Sequence, residues 1–277
     1  MQLNKTLFEE ITKKGSKTFY SVSLFFPKEI RYDVFLLYAF TRTADDFVDA
    51  TPPETQKFQE YKQLTGSALE GNTVDHPVVN AFGELVRRRS INPNLVWDYF
   101  TALDMDVDGR RYGSYQNLEV YIYGVAETIG LMMAKIMELP EESYQSARLL
   151  GKAFQLINII RDIDEDEKLG REYIPQDDLG RFGLASIRDG KNQEQRMRKL
   201  IRFELGRFLK VNKEAKKGLR FLPRNYRVPI STASDVFESV GKKIYRDPMI
   251  IFREKVKPSV LSILCTVFRN YVFSWKS

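Results

Sequence analysis

A chain of 277 residues, 43% hydrophobic and 29% charged, with 19 Phe and 14 Tyr, has enough apolar material for a large core or a deep pocket. These proportions exclude a disordered chain and a collagen, and a lone cysteine, Cys265, excludes an internal disulfide. The net charge of +6 is uneven: residues 191–227 hold thirteen Lys/Arg against three Glu, a local excess of ten, which leaves the remainder at −4.

Such a distribution points to one localised anionic partner instead of a surface that coats nucleic acid. A solvated helix face is the first reading of 191–227. Attraction to anionic lipid, which would make the protein peripheral to a membrane, comes second. Nucleic acid is not expected, because no exposed aromatics interleave with the basic residues.

Taken in chain order, the N-terminus MQLNKTLFEEITKK is charged throughout and has no apolar core of a signal peptide, so a cytoplasmic protein is expected. From Arg31 to Asp49 the residues Val34, Leu37, Tyr38, Phe40, Ala44 and Val48 recur at helical spacing, and Thr51-Pro52-Pro53 stops the run. Further helices are predicted from Leu118 to Leu139, ending at Pro140, and from Glu141 to Lys168, before Gly170. Two more are predicted over Gln193–Leu219 and Ala233–Tyr245. Val260 to Trp275 is apolar but shorter than the roughly 20 residues of a membrane span. Alternating strand patterns, repeats and linkers are missing, so the expectation is all-α, a single domain over 1–277.

Two of these helices carry chemistry. In Arg42-Thr-Ala-Asp45-Asp46-Phe-Val-Asp49, Asp45 and Asp49 project one turn apart from the same face, with Arg42 one turn earlier. In the later helix, Gln155, Asn158, Asp162 and Asp166 form one oxygen-bearing stripe, and isoleucines and leucine fill much of the remaining circumference. Carboxylates beside buried surface need a counter-charge. With only oxygen donors and no histidine or cysteine nearby, a hard divalent cation suits them, Mg²⁺ bridging carboxylates to a substrate phosphate. Arg42, Arg161 and Arg171 could hold the same phosphates. A diphosphate leaving group then departs readily, and an apolar pocket must keep the resulting carbocation from water.

Gly15-Ser16-Lys17-Thr18-Phe19, Leu37-Tyr38-Ala39-Phe40-x-Arg42-x-x-Asp45-Asp46-x-x-Asp49, Tyr121-x-Tyr123-Gly124-Val125-Ala126-x-x-x-Gly130, and Gln155-x-x-Asn158-x-x-Arg161-Asp162-x-x-x-Asp166 before Arg171-x-Tyr173-x-Pro175 resemble, in order, the squalene/phytoene synthases. The resemblance implies an isoprenoid-synthase helical bundle around a central cavity. It also implies head-to-head (1′–1) condensation of two identical prenyl diphosphates through a cyclopropyl diphosphate.

On that reading Asp45, Asp49, Asp162 and Asp166, with Asn158, hold two or three Mg²⁺ (or Mn²⁺) ions, and Arg42, Arg161 and Arg171 contact diphosphate. Ser16 and Thr18 lie in a segment that closes over a diphosphate. Phe19, Tyr38, Tyr121, Val125, Ala126, Gly130, Ala147 and Gly151 border prenyl channels, and Gln155 extends the polar stripe. Tyr173 and Tyr245 fall near the diphosphates or the intermediate.

The resemblance leaves the substrate open. Two C20 units would give phytoene by proton loss, and two C15 units would give dehydrosqualene, or squalene if NADPH supplies hydride. The block around Tyr123 and the chain length favour phytoene. An inactive scaffold relative is a remote alternative, disfavoured because all four aspartates are present.

Overall fold

The computed structural model describes residues 2–109 and 111–273, so Trp275 lies outside the described residues. The elements are α1 (Gln2–Gly15), α2 (Lys17–Ser23), α3 (Lys28–Asp49), α4 (Thr55–Leu69), α5 (Pro77–Arg88), α6 (Pro93–Val107), α7 (Tyr115–Ile122), a π-turn (Tyr123–Glu127), α8 (Thr128–Ile136), α9 (Tyr144–Lys168), α10 (Gln176–Arg181), α11 (Ile187–Gly190), α12 (Glu194–Lys216), α13 (Arg224–Arg246) and α14 (Val260–Phe273). Among the described residues there is no strand, and a single isolated bridge joins Arg111 to Glu172.

Two cores organise the bundle. The first lies among α1, α3, α4, α5, α6 and α8 and is centred on Phe40, which stacks on Phe82 and meets Tyr61, Tyr99 and Phe100 edge-on or tilted. The second joins α9, α12 and the end of α13 through Ile157, Ile160, Leu200, Ile201, Leu205, Phe208 and Ile244, all buried. Helices α3 and α9 both pack on α8, which holds the two acidic helices at a separation.

Several boundaries differ from the sequence expectation. The run predicted as one helix over Leu118–Leu139 is α7, a π-turn and α8. The break falls at Gly124, whose position a Cβ could not occupy: it would collide with Ala102 and stand 2.6 Å from the Asp98 carbonyl on α6. Thr128 Oγ1 donates to the Gly124 carbonyl (2.6 Å), which satisfies an acceptor in the turn. Glu138, at φ +54, ends this region before Pro140 is reached.

Helix α13 begins at Arg224, nine residues before the predicted Ala233, and carries Pro229 inside it. A proline this close to the start removes one hydrogen bond from a helix otherwise held by the buried Val228, Thr232, Val236 and Val240. The basic stretch is also less free than its composition suggests. Arg207 pairs with Asp178 and Glu204, Lys216 with Asp235 and Glu238, Arg198 with Glu194 and Asp247, and Lys191 with Asp164 and Glu167. No helix among the described residues is long and apolar enough to cross a membrane.

Candidate active site

Helix α3 presents Asp45 and Asp49 at its C-terminal end because its opposite face, Val34, Leu37, Ala44 and Val48, is buried. Asp45 is half-buried, and Tyr99 of α6 reaches it: the phenol donates to Asp45 Oδ1 at 2.7 Å and lies 3.0 Å from the Thr41 carbonyl. Burial pushes the Asp45 carboxyl up to about 7, the Tyr99 hydrogen bond opposes that rise, and the Asp49 charge adds to it. Arg42 pairs with Asp46 one turn on, at the more exposed flank of the helix.

Helix α9 runs its stripe of Gln155, Asn158, Asp162 and Asp166 along a half-buried face, while Leu156, Ile157, Ile159, Ile160 and Ile163 are buried behind it. Arg161 folds onto its own neighbour: Nε donates to Asp162 Oδ1 at 2.9 Å and Nη2 to Oδ2 at 2.5 Å. Asp166 is pushed up to about 8, by burial first and by the Asp162 charge next, with Arg171 opposing. Arg171, in the loop after α9, crosses to α3: Nη1 donates to Asp49 Oδ1 at 2.5 Å and Nη2 to the Val48 carbonyl at 2.8 Å. One guanidinium therefore ties the ends of both acidic helices together.

A fifth carboxylate lies close enough to both helices to act on Asp45 and Asp166. Asp106, at the end of α6, accepts hydrogen bonds from Tyr173 at 2.6 Å and from Tyr121 at 2.8 Å, and these two phenols are 3.3 Å apart. Burial raises the Asp106 carboxyl to about 6, and both tyrosines counter that rise. The sequence alone assigns no role to Asp106 or to Tyr99. Neither sits in a local pattern with its partners, which lie 54 residues away for Tyr99 and 15 and 67 for Asp106.

These groups meet the chemical requirement for a hard cation. The donors are all oxygen, three carboxylates are held above their ordinary pKa by burial, and Asn158 Oδ1 is buried with no hydrogen-bond partner. Among the described residues no three acidic, His or Cys side chains are close enough to cage one ion by themselves. Arg171 and Arg161 instead engage Asp49 and Asp162. Cations here would share their coordination with a ligand's oxygens, as Mg²⁺ does between carboxylates and phosphates.

The remaining predicted residues divide. Ser16 caps α2, its Oγ accepting from the Phe19 N–H at 3.1 Å, and Phe19 stacks on Tyr38 with ring centroids 4.7 Å apart. Burial pushes the Tyr38 hydroxyl up to about 12, and Ser16 and Arg42 both act on it, so these four form one cluster, with half-buried Thr18 a residue away on α2. Val125 and Ala126 lie in the π-turn facing α9.

Gly130 and Gly151 sit where helices come close. A Cβ on Gly130 would collide with the Ala147 carbonyl, and one on Gly151 with the Ala126 carbonyl, so both let α8, the π-turn and α9 approach backbone to backbone. Tyr245 stands apart from the acidic cluster. It is 50% exposed at the end of α13, with the Arg202 guanidinium 5.6 Å from its ring centroid, and it does not join the acidic cluster. Lys255 does approach it, pairing with Glu165 and standing 3.8 Å from Asp162 Oδ1.

The chain is similar to known proteins over most of its length. A squalene/phytoene synthase family profile matches residues 12–262. A phytoene synthase of Arthrospira platensis is 29% identical, over 98% of this chain and 88% of its own length. A 15-cis-phytoene synthase of Enterobacter agglomerans is 32% identical, over 83% and 82%. Among solved structures, a dehydrosqualene synthase in complex with ligand superimposes with TM-score 0.90 at 25% identity, covering 100% of this chain and 98% of that one.

Proposed function

The chain belongs to the squalene/phytoene synthase family and is a prenyltransferase, and from that premise we propose that it joins two geranylgeranyl diphosphates head to head to give phytoene. The curated relatives named above are phytoene synthases at about 30% identity across most of this chain, and that is the observation behind the C20 substrate. In this reaction the first diphosphate leaves as its C1′ bonds to the C2=C3 double bond of the second molecule, and cyclopropane closure releases one proton. The second diphosphate then leaves from C1, the cyclopropane rearranges and opens to form the 1′–1 bond, and loss of a second proton gives the hydrocarbon without hydride from NADPH.

A hard divalent cation, Mg²⁺ or Mn²⁺, would be held by Asp45, Asp49, Asp162, Asp166 and Asn158, and when bound it neutralises charge on a departing diphosphate. The rest is done by the chain itself. Arg171 sets the spacing of the two acidic helices, and Arg161 and Arg42 offer guanidinium donors to diphosphate oxygens. Phe19 and Tyr38 make an aromatic wall, and Ser16 and Thr18 place hydroxyls at the start of α2. Tyr121 and Tyr173 aim their phenol oxygens into the site with their protons held by Asp106, an arrangement that presents electron-rich oxygen and ring faces to a carbocation and keeps bulk water out. Since the prenyl tails are apolar, we also assign the chain peripheral contact with anionic lipid.

The likeness to a dehydrosqualene synthase at TM-score 0.90 favours a second reading, two C15 farnesyl units in place of C20. Incubation with Mg²⁺ and each diphosphate, with and without NADPH, followed by hydrocarbon analysis, separates them. A C40 product from the C20 substrate without NADPH supports the proposal. A C30 product alone sinks it in favour of a C15 enzyme, and no hydrocarbon from either substrate would return the scaffold reading.

A further inference from the structure

Most of the large apolar side chains that the fold leaves exposed belong to α14 and to the turn between α2 and α3. They are Val260, Leu261, Leu264, Phe268, Tyr271 and Val272 on the first, and Leu24 and Phe25 on the second. Helix α14 is apolar on two opposite sides and covered on only one. Its inner side chains Ile263 and Val267 are buried against α13 and α2, and Asn270 and Arg269 anchor its edge to Asp235. Its outer side leaves Leu261 71% and Phe268 69% exposed. A helix with apolar residues nearly all round is normally covered all round. Leu264, Phe268 and Tyr271 continue into an open groove floored by Phe25, Phe26 and Val228.

Charge identifies what covers it. The three segments that build this face, 16–28, 217–228 and 255–273, contain nine Lys/Arg and no Asp/Glu; Lys217, Lys255 and Arg269 pair with Glu214, Glu165 and Asp235 from outside them, which leaves an excess of at most six positive charges. A second copy would bring the same positive charge against itself, and a polyanion without an apolar phase would leave Leu261 and Phe268 in water. An anionic bilayer satisfies both features.

At 14 residues α14 is about 21 Å long, shorter than the roughly 30 Å hydrocarbon layer, so it lies in the interface plane and does not cross it. We infer that this face, and not the 191–216 stretch, where Lys191, Arg198, Arg207 and Lys216 are already ion-paired, is where the protein docks on an anionic lipid membrane, with Leu261, Leu264, Phe268 and Phe25 inserted among the headgroups. The inference rests on the reading of peripheral lipid contact and names its surface. It also has a consequence for substrate access. Helix α2 has its C-terminal end at this face and its N-terminal end at Ser16, which brings the bilayer within about 10 Å of the segment assigned to diphosphate.

The experiment is vesicle co-sedimentation of the whole chain, without substrate, using phosphatidylcholine alone and phosphatidylcholine mixed with phosphatidylglycerol. Wild type should pellet with the mixed vesicles. Leu261→Glu/Phe268→Glu should lower partitioning at least tenfold while leaving the helical circular dichroism unchanged, since both side chains are already exposed. Lys257→Glu should lower it about fivefold or more and reduce the salt sensitivity of what remains. Lys199→Glu/Lys210→Glu on α12 should change it less than about twofold.

No sedimentation of wild type overturns lipid contact altogether. Sedimentation that ignores the α14 substitutions, or that is lost with the α12 ones, overturns the surface while leaving lipid contact standing. A wild-type dimer that Leu261→Glu/Phe268→Glu converts to monomer assigns the face to a second copy and also overturns the proposal.

Discussion

The two acidic helices carry the same pair of carboxylates one turn apart, yet the fold treats them differently. On α3 both acids are held from outside the helix, Asp45 by Tyr99 of α6 and Asp49 by Arg171 of the loop after α9. On α9, Asp162 is held by the adjacent Arg161, and Asp166, whose carboxyl is raised to about 8, has Arg171 as its main opposing charge. The α3 end is therefore positioned by tertiary contacts made once the bundle has packed. The α9 end is held by a local guanidinium that can exchange a carboxylate for a phosphate oxygen without moving a helix. A site that must admit two diphosphates in turn gains from one fixed wall and one exchangeable wall.

The largest test removes an acid from each wall. Asp45→Ala and Asp162→Ala should each lower turnover by roughly a thousandfold or more, since several kcal/mol of charge stabilisation of the leaving group depends on them. Product formation and far-ultraviolet circular dichroism measured together check this, and near-wild-type activity in either variant would remove that wall from the mechanism. A smaller effect is expected where the walls are tied. Arg171→Ala deletes two charge-assisted hydrogen bonds to α3, together about 3 kcal/mol, and should lower kcat/KM about 100-fold. Arg171→Lys should recover only part of it, because one ammonium cannot fork to Asp49 and Val48 as the guanidinium does. Full recovery by lysine would reduce Arg171 to a point charge.

The smallest effect concerns Tyr99. The Tyr99→Phe variant loses the hydrogen bond that opposes the burial of Asp45, so the Asp45 pKa rises above its value of about 7. At neutral pH more of this carboxyl is then protonated, and Mg²⁺ affinity should fall about tenfold, consistent with one hydrogen bond to a charged group. The sign makes the loss recoverable: raising the pH beyond the new pKa restores the carboxylate. Mg²⁺-dependent thermal stabilisation measured from neutral to alkaline pH follows it, and a loss independent of pH would give Tyr99 a packing role only.

Among these residues, legibility followed spacing. Asp45 with Asp49, and Gln155 through Asp166, share a helix face by arithmetic alone, and the buried isoleucines around the second set already marked it as an interior surface. Family resemblance supplied the Ser16, Phe19 and Tyr38 cluster, which the structure does gather. It also supplied Tyr245, which the structure leaves outside, because the final turn of α13 points that ring at Arg202. The glycines were ambiguous by nature. A glycine in a helix announces that something comes close, and the packed bundle shows that at Gly130 and Gly151 a neighbouring carbonyl does.

By itself, the sequence determined the helical class, the two carboxylate faces and the polar stripe between isoleucines, since each depends on a period of 3.6 residues within one segment. The tertiary structure alone decided which distant groups meet those carboxylates: Tyr99 at Asp45, Arg171 at Asp49, and Tyr121 and Tyr173 at Asp106. It alone broke the Leu118–Leu139 run at Gly124 and left one side of α14 uncovered. The reason is common to all of these. Periodicity sets which way a side chain points on its own helix, but what it meets there depends on how closely other helices can approach, and that is set by packing across the whole chain.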